Sequence, residues 1–301
     1  MFAYHDVGVR CLKTLLSAAL EVPLVVTVAD DPSERRWFAS VAATADEYGL
    51  AVLTPPDASA PELLERVRQL EPDFVFSFYY RSLLAAPLLG AARHGALNMH
   101  GSLLPKYRGR APVNWAIIHG EHETGATLHY MVERADAGDI VDQMAVPILQ
   151  DDDARCVFNK VTVAAEVVLA RSLPALIAGT APRRAQRLEL GSYCGRRRPE
   201  DGRIDWTQPA QAIHNLVRAV APPFPGAFTD IGGERWWLHR TRVLQRTADR
   251  PARARLFGAH GRCYVTCGDG GLLHVDEAAT AAGLIDLGAL SRELEKHPQE
   301  L

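Results

Sequence analysis

The chain has 301 residues, enough for one large domain or two domains of ordinary size. Hydrophobic residues make up 48% and charged residues 23%, which excludes a disordered chain, and the net charge of −3 argues against a dedicated nucleic-acid binder. The apolar runs are much shorter than a membrane span, and no charged and then apolar leader opens the sequence. We therefore expect a cytoplasmic protein without membrane insertion.

The first half of the chain alternates apolar strands with amphipathic helices. The opening MFAYH predicts a short first strand, and later apolar runs predict strands over 23–30, 51–54, 73–78 and 95–99. Apolar residues three and four positions apart predict helices between them, at Val9, Leu12, Leu15 and Leu16 and again at Leu63, Leu64, Val67 and Leu70. Another helix is predicted over 33–49, ending at Gly49. Strands separated by helices indicate crossover connections and a parallel sheet.

The middle of the chain predicts a helix over 112–119, strands over 125–132 and 139–148, and a long helix running toward Ile177. Asp151 to Asp153 are suited to cap that helix at its start. Its spacing predicts a core-facing apolar stripe at Val157, Val161, Ala164, Val168 and Leu173. Pro174 is expected to kink the helix or end it a turn early.

From Gly179 the sequence changes character. Residues 181–203 contain many Gly, Pro and Arg residues without clear periodicity, which predicts a linker between a catalytic domain over 1–180 and a second domain over 204–301. The second domain has one predicted helix over 209–219 and short strands with Gly-rich turns, the pattern of a small, mostly β domain. Residues 200–301 hold 12 Lys and Arg against 13 Asp and Glu, which argues against a nucleic-acid clamp.

The five cysteines are few, odd in number and scattered, as expected for reduced thiols; they are Cys11, Cys156, Cys194, Cys263 and Cys267. The last two are spaced more widely than the pair of a zinc knuckle, and no second pair of ligands accompanies them. We therefore predict no metal site.

Asn98 and His100 stand at the end of the strand predicted over 95–99. Ligands collect beyond the carboxyl ends of strands in an open parallel sheet, and alternate residues of a strand share a face. An amide beside an imidazole suits acyl-group transfer, because the amide polarises a carbonyl and the imidazole handles charge and protons. In the alternative interpretation, Asn98 caps a turn and His100 makes a structural hydrogen bond.

A carboxylate follows in the turn RADAGD (134–139), where Asp136 precedes a predicted strand. Asp in such a turn commonly bonds its own backbone, and this structural interpretation stands beside a functional one. If the turn brought Asp136 against His100, the carboxylate would fix the imidazole's tautomer and favour its charged form.

The loop LLPKYRGRAP (103–112) carries three cations, Lys106, Arg108 and Arg110. It lacks the G-x-x-x-x-G-K-[ST] pattern of a P-loop, and no G-x-G-x-x-G follows the first strand, which argues against a nicotinamide-dinucleotide site. Arg side chains suit bidentate contact with phosphate. The loop therefore either contacts a phosphorylated substrate or is a solvated basic turn.

Taken together, NMHGSLLPKYRGRAP (98–112) and RADAG (134–138), with Asp136 38 residues after Asn98, resemble the 10-formyltetrahydrofolate-dependent formyltransferases. The segment IDWTQPAQAIHNLVRAVAPPFPGAF (204–228) resembles the opening of that family's C-terminal subdomain, so the resemblance covers essentially the whole chain. It implies a Rossmann-like α/β domain with a parallel sheet, followed by a small, mostly β, OB-like domain. It also implies catalytic roles for Asn98, His100 and Asp136, with 10-formyltetrahydrofolate as the formyl donor.

Three segments resemble one branch of the family, the branch that formylates UDP-4-amino-4-deoxy-L-arabinose for lipid A modification and polymyxin resistance. They are FAYHDVG (2–8), FSFYYR (76–81) and PKYRGRAPVNWAI (105–117). The methionyl-tRNA branch usually has W-R-G-A-A-P-I-Q in the loop, whereas this chain has Tyr107, Arg110, Asn114 and Trp115. No decarboxylase sequence follows, as it does in the fused enzyme of this branch, so we expect a stand-alone formyltransferase of undetermined oligomeric state.

The resemblance also assigns binding residues. It implies that the folate contacts Phe78, Tyr79, Tyr80 and Arg81, and that the nucleotide sugar contacts Ser102, Tyr107, Arg108 and Arg110. Three alternatives stay open: another amine acceptor, namely a different amino sugar or methionyl-tRNA; a non-catalytic folate or nucleotide binder; and a nicotinamide-dependent reductase.

Overall fold

The computed structural model describes residues 1–30, 36–244 and 253–301, which form two compact units. Unit 1 comprises Met1–Pro112, Glu123–Pro147 and Phe158–Gly195, and unit 2 comprises Val113–His122, Ile148–Val157 and Arg196–Leu301. The start of the helix predicted over 33–49 lies outside the described residues, and its remainder contains a helix that begins at Val41.

Unit 1 alternates strands with helices, as the sequence predicts. Its strands are β1 (Phe2–Ala3), β2 (Val25–Val26), β3 (Val52–Leu53), β4 (Val75–Phe78), β5 (Ala96–His100), β6 (Arg108–Gly109), β7 (Glu123–Tyr130), β8 (Ile140–Pro147) and β9 (Tyr193–Cys194). Its first helices are α1 (His5–Ser17), α2 (Val41–Glu47), α3 (Pro61–Gln69) and α4 (Ala86–Leu89). Three of the predicted runs pair over fewer residues than predicted: two residues of 23–30, two of 51–54 and four of 73–78 join the ladder.

The main sheet of unit 1 has the strand order β3-β2-β1-β4-β5-β7-β8. The first five strands of that order pair in parallel, and β7 and β8 are antiparallel. The predicted α/β fold with a mostly parallel sheet is therefore confirmed. After β3 the chain returns to the other side of β1, so a topological switch point lies between β1 and β4, where open sheets of this kind bind ligands.

The core of unit 1 lies where the helices pack on this sheet. Of the apolar stripe predicted for α1, Val9, Leu12 and Leu15 are buried, whereas Leu16 is only half-buried. On another helix, Leu63 and Val67 of α3 belong to a cluster of buried side chains that includes Phe2 of β1. Packing of this kind fixes the positions of the strand ends, which carry the polar residues of interest.

A long helix, α6, follows the α5 helix of unit 2 (Pro112–Ile118) and spans Ala154–Ile177. Asp153 caps α6 through its Oδ1 atom, which accepts a hydrogen bond from the backbone N–H of Cys156 at 2.7 Å, as predicted. The predicted stripe is buried along its whole length. Of the two outcomes predicted for Pro174, the early helix end is wrong: α6 continues to Ile177, because the carbonyl of Pro174 still accepts the helical hydrogen bond from Ala178 N–H at 3.0 Å.

Unit 2 is mostly β, as predicted. Its strands are β10 (Ala227–Ile231), β11 (Glu234–Leu244), β12 (Arg255–Ala259), β13 (Arg262–Thr266), β14 (Leu272–Thr280), β15 (Gly283–Leu284) and β16 (Gln299–Glu300). They form an antiparallel sheet in the order β10-β11-β14-β13-β12-β16, with β15 beside β14. The predicted helix appears as α7 (Ala210–Val220).

A second helix in this part of the chain, α8 (Leu287–Leu294), was missed by the sequence prediction. Its one local signal is Asp286, whose side chain accepts hydrogen bonds from the backbone N–H groups of Gly288 and Ala289. Across the described ranges, no helix combines the length and the apolar character that crossing a membrane requires.

Candidate active site

Asn98 and His100 lie in β5, the fifth strand of the main sheet, at its carboxyl end. β5 pairs in parallel with β4 on one side and antiparallel with β7 on the other. Since they are two residues apart in a strand, both side chains emerge on the same face of the sheet. His100 is 6% exposed, so its imidazole works in a largely desolvated environment.

The Asp136 carboxylate joins these two side chains. Its Oδ1 atom lies 3.4 Å from Asn98 Nδ2 and 3.6 Å from His100 Nδ1. Its Oδ2 atom accepts a hydrogen bond from the backbone N–H of Gly109 at 2.8 Å. Asp136 has a φ of +53°, the left-handed conformation that Asp tolerates better than most residues and that directs its side chain out of the turn. The structure thus brings together the three residues that the sequence marked separately.

The hydrogen bonds of His100 define where its proton lies. Nε2 is 2.8 Å from the carbonyl oxygen of Tyr107, which can only accept, so Nε2 carries a proton and donates it. Nδ1 therefore faces Asp136 and is the nitrogen at which His100 gains or loses a proton.

The carboxylate itself is held in its ionised form. Burial alone would raise the pKa of Asp136, but neighbouring positive charge and hydrogen-bond donors, first His100 and then the backbone N–H of Gly109 among them, outweigh burial and hold the pKa well below the usual 3.8. Asp136 is therefore an anion at neutral pH.

A fourth residue of the cluster, His129, was missed by the sequence analysis. It lies directly opposite Asn98 in the β5–β7 ladder and is 1% exposed. Its Nε2 atom is 3.2 Å from Asn98 Nδ2 and 3.6 Å from Asp136 Oδ1. The sequence contains only one signal for it, a polar residue in an otherwise buried strand, and the register that places it here is not readable from the sequence.

The loop over 103–112 lies against this cluster. Tyr107 is 6% exposed, and its carbonyl oxygen is the hydrogen-bond partner of His100. Two residues later, the backbone N–H of Gly109 donates to the Asp136 carboxylate. The hydroxyl of Ser102 is buried and donates to the carbonyl of Lys106 at 2.6 Å, so Ser102 shapes the loop from inside. The loop therefore fixes both His100 and Asp136 through its backbone.

The two arginines of the loop differ in their surroundings. Arg108 is 5% exposed, and its Nε atom has no hydrogen-bond partner within the described ranges. Arg110 is exposed, and its backbone N–H donates to the carbonyl of Cys194. A buried guanidinium N–H that lacks an acceptor is costly unless a ligand supplies one.

Residues 191–194 hold the loop in place through a short parallel ladder between β6 and β9. Ser192 binds the loop three times: its Oγ accepts from Tyr107 N–H at 2.8 Å, its carbonyl from Arg108 N–H at 3.0 Å, and its N–H donates to the Pro105 carbonyl at 3.3 Å. Nearby, the side-chain amide of Gln186 donates to the carbonyls of Asp136 and Gly138, at 3.0 and 2.7 Å. Thus part of the stretch predicted as a linker supports the site.

The segment predicted to contact folate follows β4 at the switch point. Phe78 is completely buried in the strand, Tyr80 packs edge-on against Phe2 with ring centroids 5.4 Å apart, and Arg81 lies 4.4 Å from the ring centre of Tyr4. Tyr79 turns the chain with a φ of +57°, and its buried hydroxyl has no hydrogen-bond partner in the described part of the chain.

Aromatic rings gather around Tyr79 at this point. Phe158 packs edge-on against Tyr79, with ring centroids 5.4 Å apart, and its ring centroid lies 4.3 Å from that of His5. The His5 ring in turn stacks on Phe38, with centroids 3.9 Å apart. Burial, with a smaller effect of Arg81, lowers the pKa of His5 to about 3, so this imidazole is neutral. The cluster thus consists of neutral aromatic rings packed on one another.

Cys263 and Cys267 are both buried, and burial raises their pKa values to about 11 and about 12. They are therefore protonated thiols at neutral pH. Among the residues that the structure describes, no three His, Cys, Asp or Glu side chains are grouped so that they would hold a metal ion.

The carboxyl edge of the sheet thus carries an amide, an imidazole and an ionised carboxylate. These are the functional groups that a group-transfer enzyme uses. Residues 9–173 match the Formyl transferase family, and residues 197–284 match the Formyl transferase, C-terminal domain. The chain belongs to the formyl transferase family and is a transferase.

Solved structures show the same fold. The N-formyltransferase from Helicobacter canadensis, in complex with folinic acid and dTDP-3-aminofucose, is 20% identical with a TM-score of 0.74, covering 91% of this chain and 97% of that one. WlaRD, a sugar 3N-formyl transferase in the presence of dTDP and 5-N-formyl-THF, is 19% identical with a TM-score of 0.69, covering 93% and 96%. A 4-N formyltransferase from Francisella tularensis is 22% identical with a TM-score of 0.62, covering 78% and 93%.

Proposed function

We propose that the chain transfers a formyl group from 10-formyltetrahydrofolate to the 4-amino group of a nucleotide-linked amino sugar, in the cytoplasm. The acceptor we propose is UDP-4-amino-4-deoxy-L-arabinose, the substrate of the polymyxin-resistance enzyme ArnA, whose formyltransferase half the segments 2–8, 76–81 and 105–117 resemble. The observation that carries the proposal is the Asp136 carboxylate, 3.4 Å from the Asn98 amide and 3.6 Å from the His100 imidazole. A protein that only bound folate or a nucleotide would not need these three groups around one point.

Transfer forms a bond between the amine nitrogen and the formyl carbon and breaks the bond between that carbon and the donor nitrogen. The amine loses one proton, and the leaving nitrogen gains one. Asn98 donates a hydrogen bond to the formyl oxygen, where negative charge develops. Asp136 orients His100 and accepts the proton of the amine, since its carboxylate is ionised at neutral pH.

His100 supplies positive charge beside the reacting carbon. Because its Nε2–H is held by the Tyr107 carbonyl, the proton that it exchanges is the one on Nδ1, facing Asp136. In its charged form it stabilises the oxyanion or protonates the leaving nitrogen.

The donor would lie at the switch point between β1 and β4, against the segment Phe78, Tyr79, Tyr80 and Arg81. The neutral rings of His5, Phe38 and Phe158 fit a flat pterin, because stacked and edge-on aromatic contacts need no charge. The left-handed turn at Tyr79 takes the chain away from the strand ladder and leaves main-chain groups for contacts with the folate.

The acceptor would lie on the loop that carries Tyr107, Arg108 and Arg110, with Ser102 supporting the loop from below. The unpartnered Nε of Arg108 is suited to a diphosphate oxygen, and the exposed Arg110 guanidinium extends the positive charge outward. Of the two, we rank Arg110 first for acceptor choice, because the methionyl-tRNA branch usually has a small residue there.

The test is a direct transfer assay. The purified protein is incubated with 10-formyltetrahydrofolate and UDP-4-amino-4-deoxy-L-arabinose, and the formamide product is identified by mass, with Asn98→Ala and His100→Ala as controls. Near-normal formylation by both variants would refute the assignment of these residues.

A second acceptor class is favoured by one observation. Two of the similar structures were determined with dTDP or a dTDP-linked amino sugar. Thermal-shift titrations with UDP and dTDP, followed by the assay on 3-amino and 4-amino sugars of each nucleotide, would separate the two classes. Formylation of charged initiator tRNA would overturn both.

A further inference from the structure

The pairing of β5 with β7 places His129 directly across from Asn98. His129 is 1% exposed, so its imidazole interacts only with its protein neighbours. Each ring nitrogen has a defined neighbour: Nδ1 lies 2.8 Å from the carbonyl oxygen of Tyr130, and Nε2 lies 3.2 Å from Asn98 Nδ2.

The Tyr130 carbonyl fixes the tautomer of His129. A carbonyl oxygen only accepts hydrogen bonds, so the proton of the neutral imidazole lies on Nδ1, and Nε2 is left with a free lone pair. Gly138 of the RADAG turn leaves room for this carbonyl, because a Cβ atom at that position would be 2.0 Å from the Tyr130 oxygen. The glycine of the motif thereby takes part in setting the proton position.

This tautomer decides which edge of the Asn98 amide faces the site. The two groups beside the amide, Nε2 of His129 and the carboxylate of Asp136, both accept hydrogen bonds. If the amide were turned over, its oxygen would face a lone pair and an anion. Only the NH₂ edge is compatible with both neighbours.

The NH₂ group has two hydrogens. One is bound by His129 Nε2 at 3.2 Å, and the longer contact of 3.4 Å with Asp136 leaves the second hydrogen available for a better acceptor. The formyl oxygen of the donor is such an acceptor when charge develops on it.

We propose that His129 is a positioning residue that acts through Asn98: neutral and protonated on Nδ1, it holds the Asn98 amide with its NH₂ group toward the formyl oxygen. The inference rests on the proposed formyl transfer. The charged groups that face His129 are Asp136 and, across that carboxylate, His100. A cationic His129 would carry a proton on Nε2 that points at the NH₂ group of Asn98, donor against donor, so the cation is the wrong form for this task.

The tautomer can be measured in the free protein without any substrate. In ¹⁵N-histidine-labelled protein at neutral pH, long-range proton–nitrogen correlations should show His129 protonated on Nδ1 and unprotonated on Nε2. The signal is assigned by its absence from His129→Gln. A proton on Nε2 of His129, in either the other tautomer or the cation, would overturn the proposal.

Matched variants of His129 test the contributions of its two ring nitrogens separately. Gln reaches the Nε2 position and offers an acceptor there, Asn reaches only the Nδ1 position, and Phe keeps the ring volume without either nitrogen. We expect His129→Gln to retain kcat within about threefold, and His129→Asn and His129→Phe to lose about tenfold in kcat, the effect of one lost hydrogen bond. KM for both substrates should stay within about twofold, because the amide acts on the developing charge.

Equal kcat values for the Gln, Asn and Phe variants would overturn the positioning role, whereas loss of folding in Phe alone leaves the Gln and Asn pair to decide. If the wild-type protein formylates no amino sugar, the proposed function fails, and the tautomer measurement still decides the arrangement of His129 and Asn98.

Discussion

Gly109 is constrained both by its backbone conformation and by its contact with the Asp136 carboxylate. Its N–H binds Asp136, its φ is +95°, and a Cβ atom there would lie 2.3 Å from the carbonyl oxygen of Cys194 in β9. Gly109→Ala therefore combines an unfavourable backbone conformation with a clash against backbone that is itself part of a ladder.

The size of the effect follows from these two terms. An alanine held in a sparsely populated region costs roughly 1–3 kcal/mol, and relief of the clash requires β6 to separate from β9, which loses ladder hydrogen bonds of about 0.5–1.5 kcal/mol each. Displacing the loop also removes the N–H from the Asp136 carboxylate, and a hydrogen bond to a charged group contributes about 1.5–3 kcal/mol. We therefore expect kcat to fall by roughly 10-fold to 100-fold, since about 1.4 kcal/mol corresponds to a factor of ten.

Gly179→Ala is the matched control. Gly179 also has a positive φ, +68°, and lies in unit 1, but a Cβ atom there meets nothing within 4 Å. This variant should lose about 1 kcal/mol of stability in urea unfolding and keep kcat within about twofold. The assay compares kcat, KM and urea unfolding for both variants. Wild-type kcat in Gly109→Ala would refute the view that the loop backbone sets the geometry of the carboxylate.

Three further variants test other parts of the site. Asn98→Ala should slow transfer about a hundredfold or more, because one lost oxyanion donor costs roughly 2.7–4 kcal/mol, and a loss under tenfold in single-turnover rates would contradict this role. For Asp136, whose pKa is depressed on folding, the stability that its carboxylate contributes is present above the unfolded pKa near 3.8 and is lost as the pH falls through the folded value. Asp136→Asn should therefore show a smaller loss of unfolding free energy between pH 7 and pH 3 than the wild type, and an equal loss would show that the carboxylate is not stabilised by its neighbours. Ser192→Ala removes the side-chain acceptor of Tyr107 N–H and should lower the free energy of unfolding by about 1–3 kcal/mol and also lower kcat. An unchanged kcat would show that the support from Ser192 does not affect the rate of transfer.

The sequence predicted much of the cluster around Asp136 for physical reasons. Asn98 and His100 are two apart in a strand, so a shared face follows from strand geometry alone. Asp136 carried a weaker signal, because whether its carboxylate reaches His100 depends on the left-handed turn at Asp136 itself. The spacing of residues in a strand predicts on which face of the sheet a side chain lies, but it does not predict the path that the chain takes through a turn.

Long-range pairing accounts for what the sequence missed. His129 lies beside Asn98 because of the register between β5 and β7, and nothing in either strand taken alone specifies that register. Ser192 supports the loop from a stretch without periodicity, and β9 is only two residues long, too short for any strand pattern.

Asn114, a difference from the methionyl-tRNA branch, has a structural role. The sequence comparison gave Asn114 as a difference from the methionyl-tRNA branch. In the structure its side chain is buried, and its Nδ2 donates to the carbonyl of Ala219 within unit 2 at 2.7 Å. The Asn therefore ties α5 to the end of α7.

The hydrogen bond between Tyr107 N–H and the Ser192 hydroxyl joins residues 85 positions apart, so it cannot form until Ser192 has been synthesised. At a synthesis rate of about 5–20 residues per second, the ribosome adds Ser192 roughly 4–17 seconds after Tyr107. Asp136 is added within that interval, after His100, but the support for the loop that contacts both residues forms only once Ser192 has been added. The loop is thus supported only after residues 191–194 have left the ribosome and the ladder between β6 and β9 has formed.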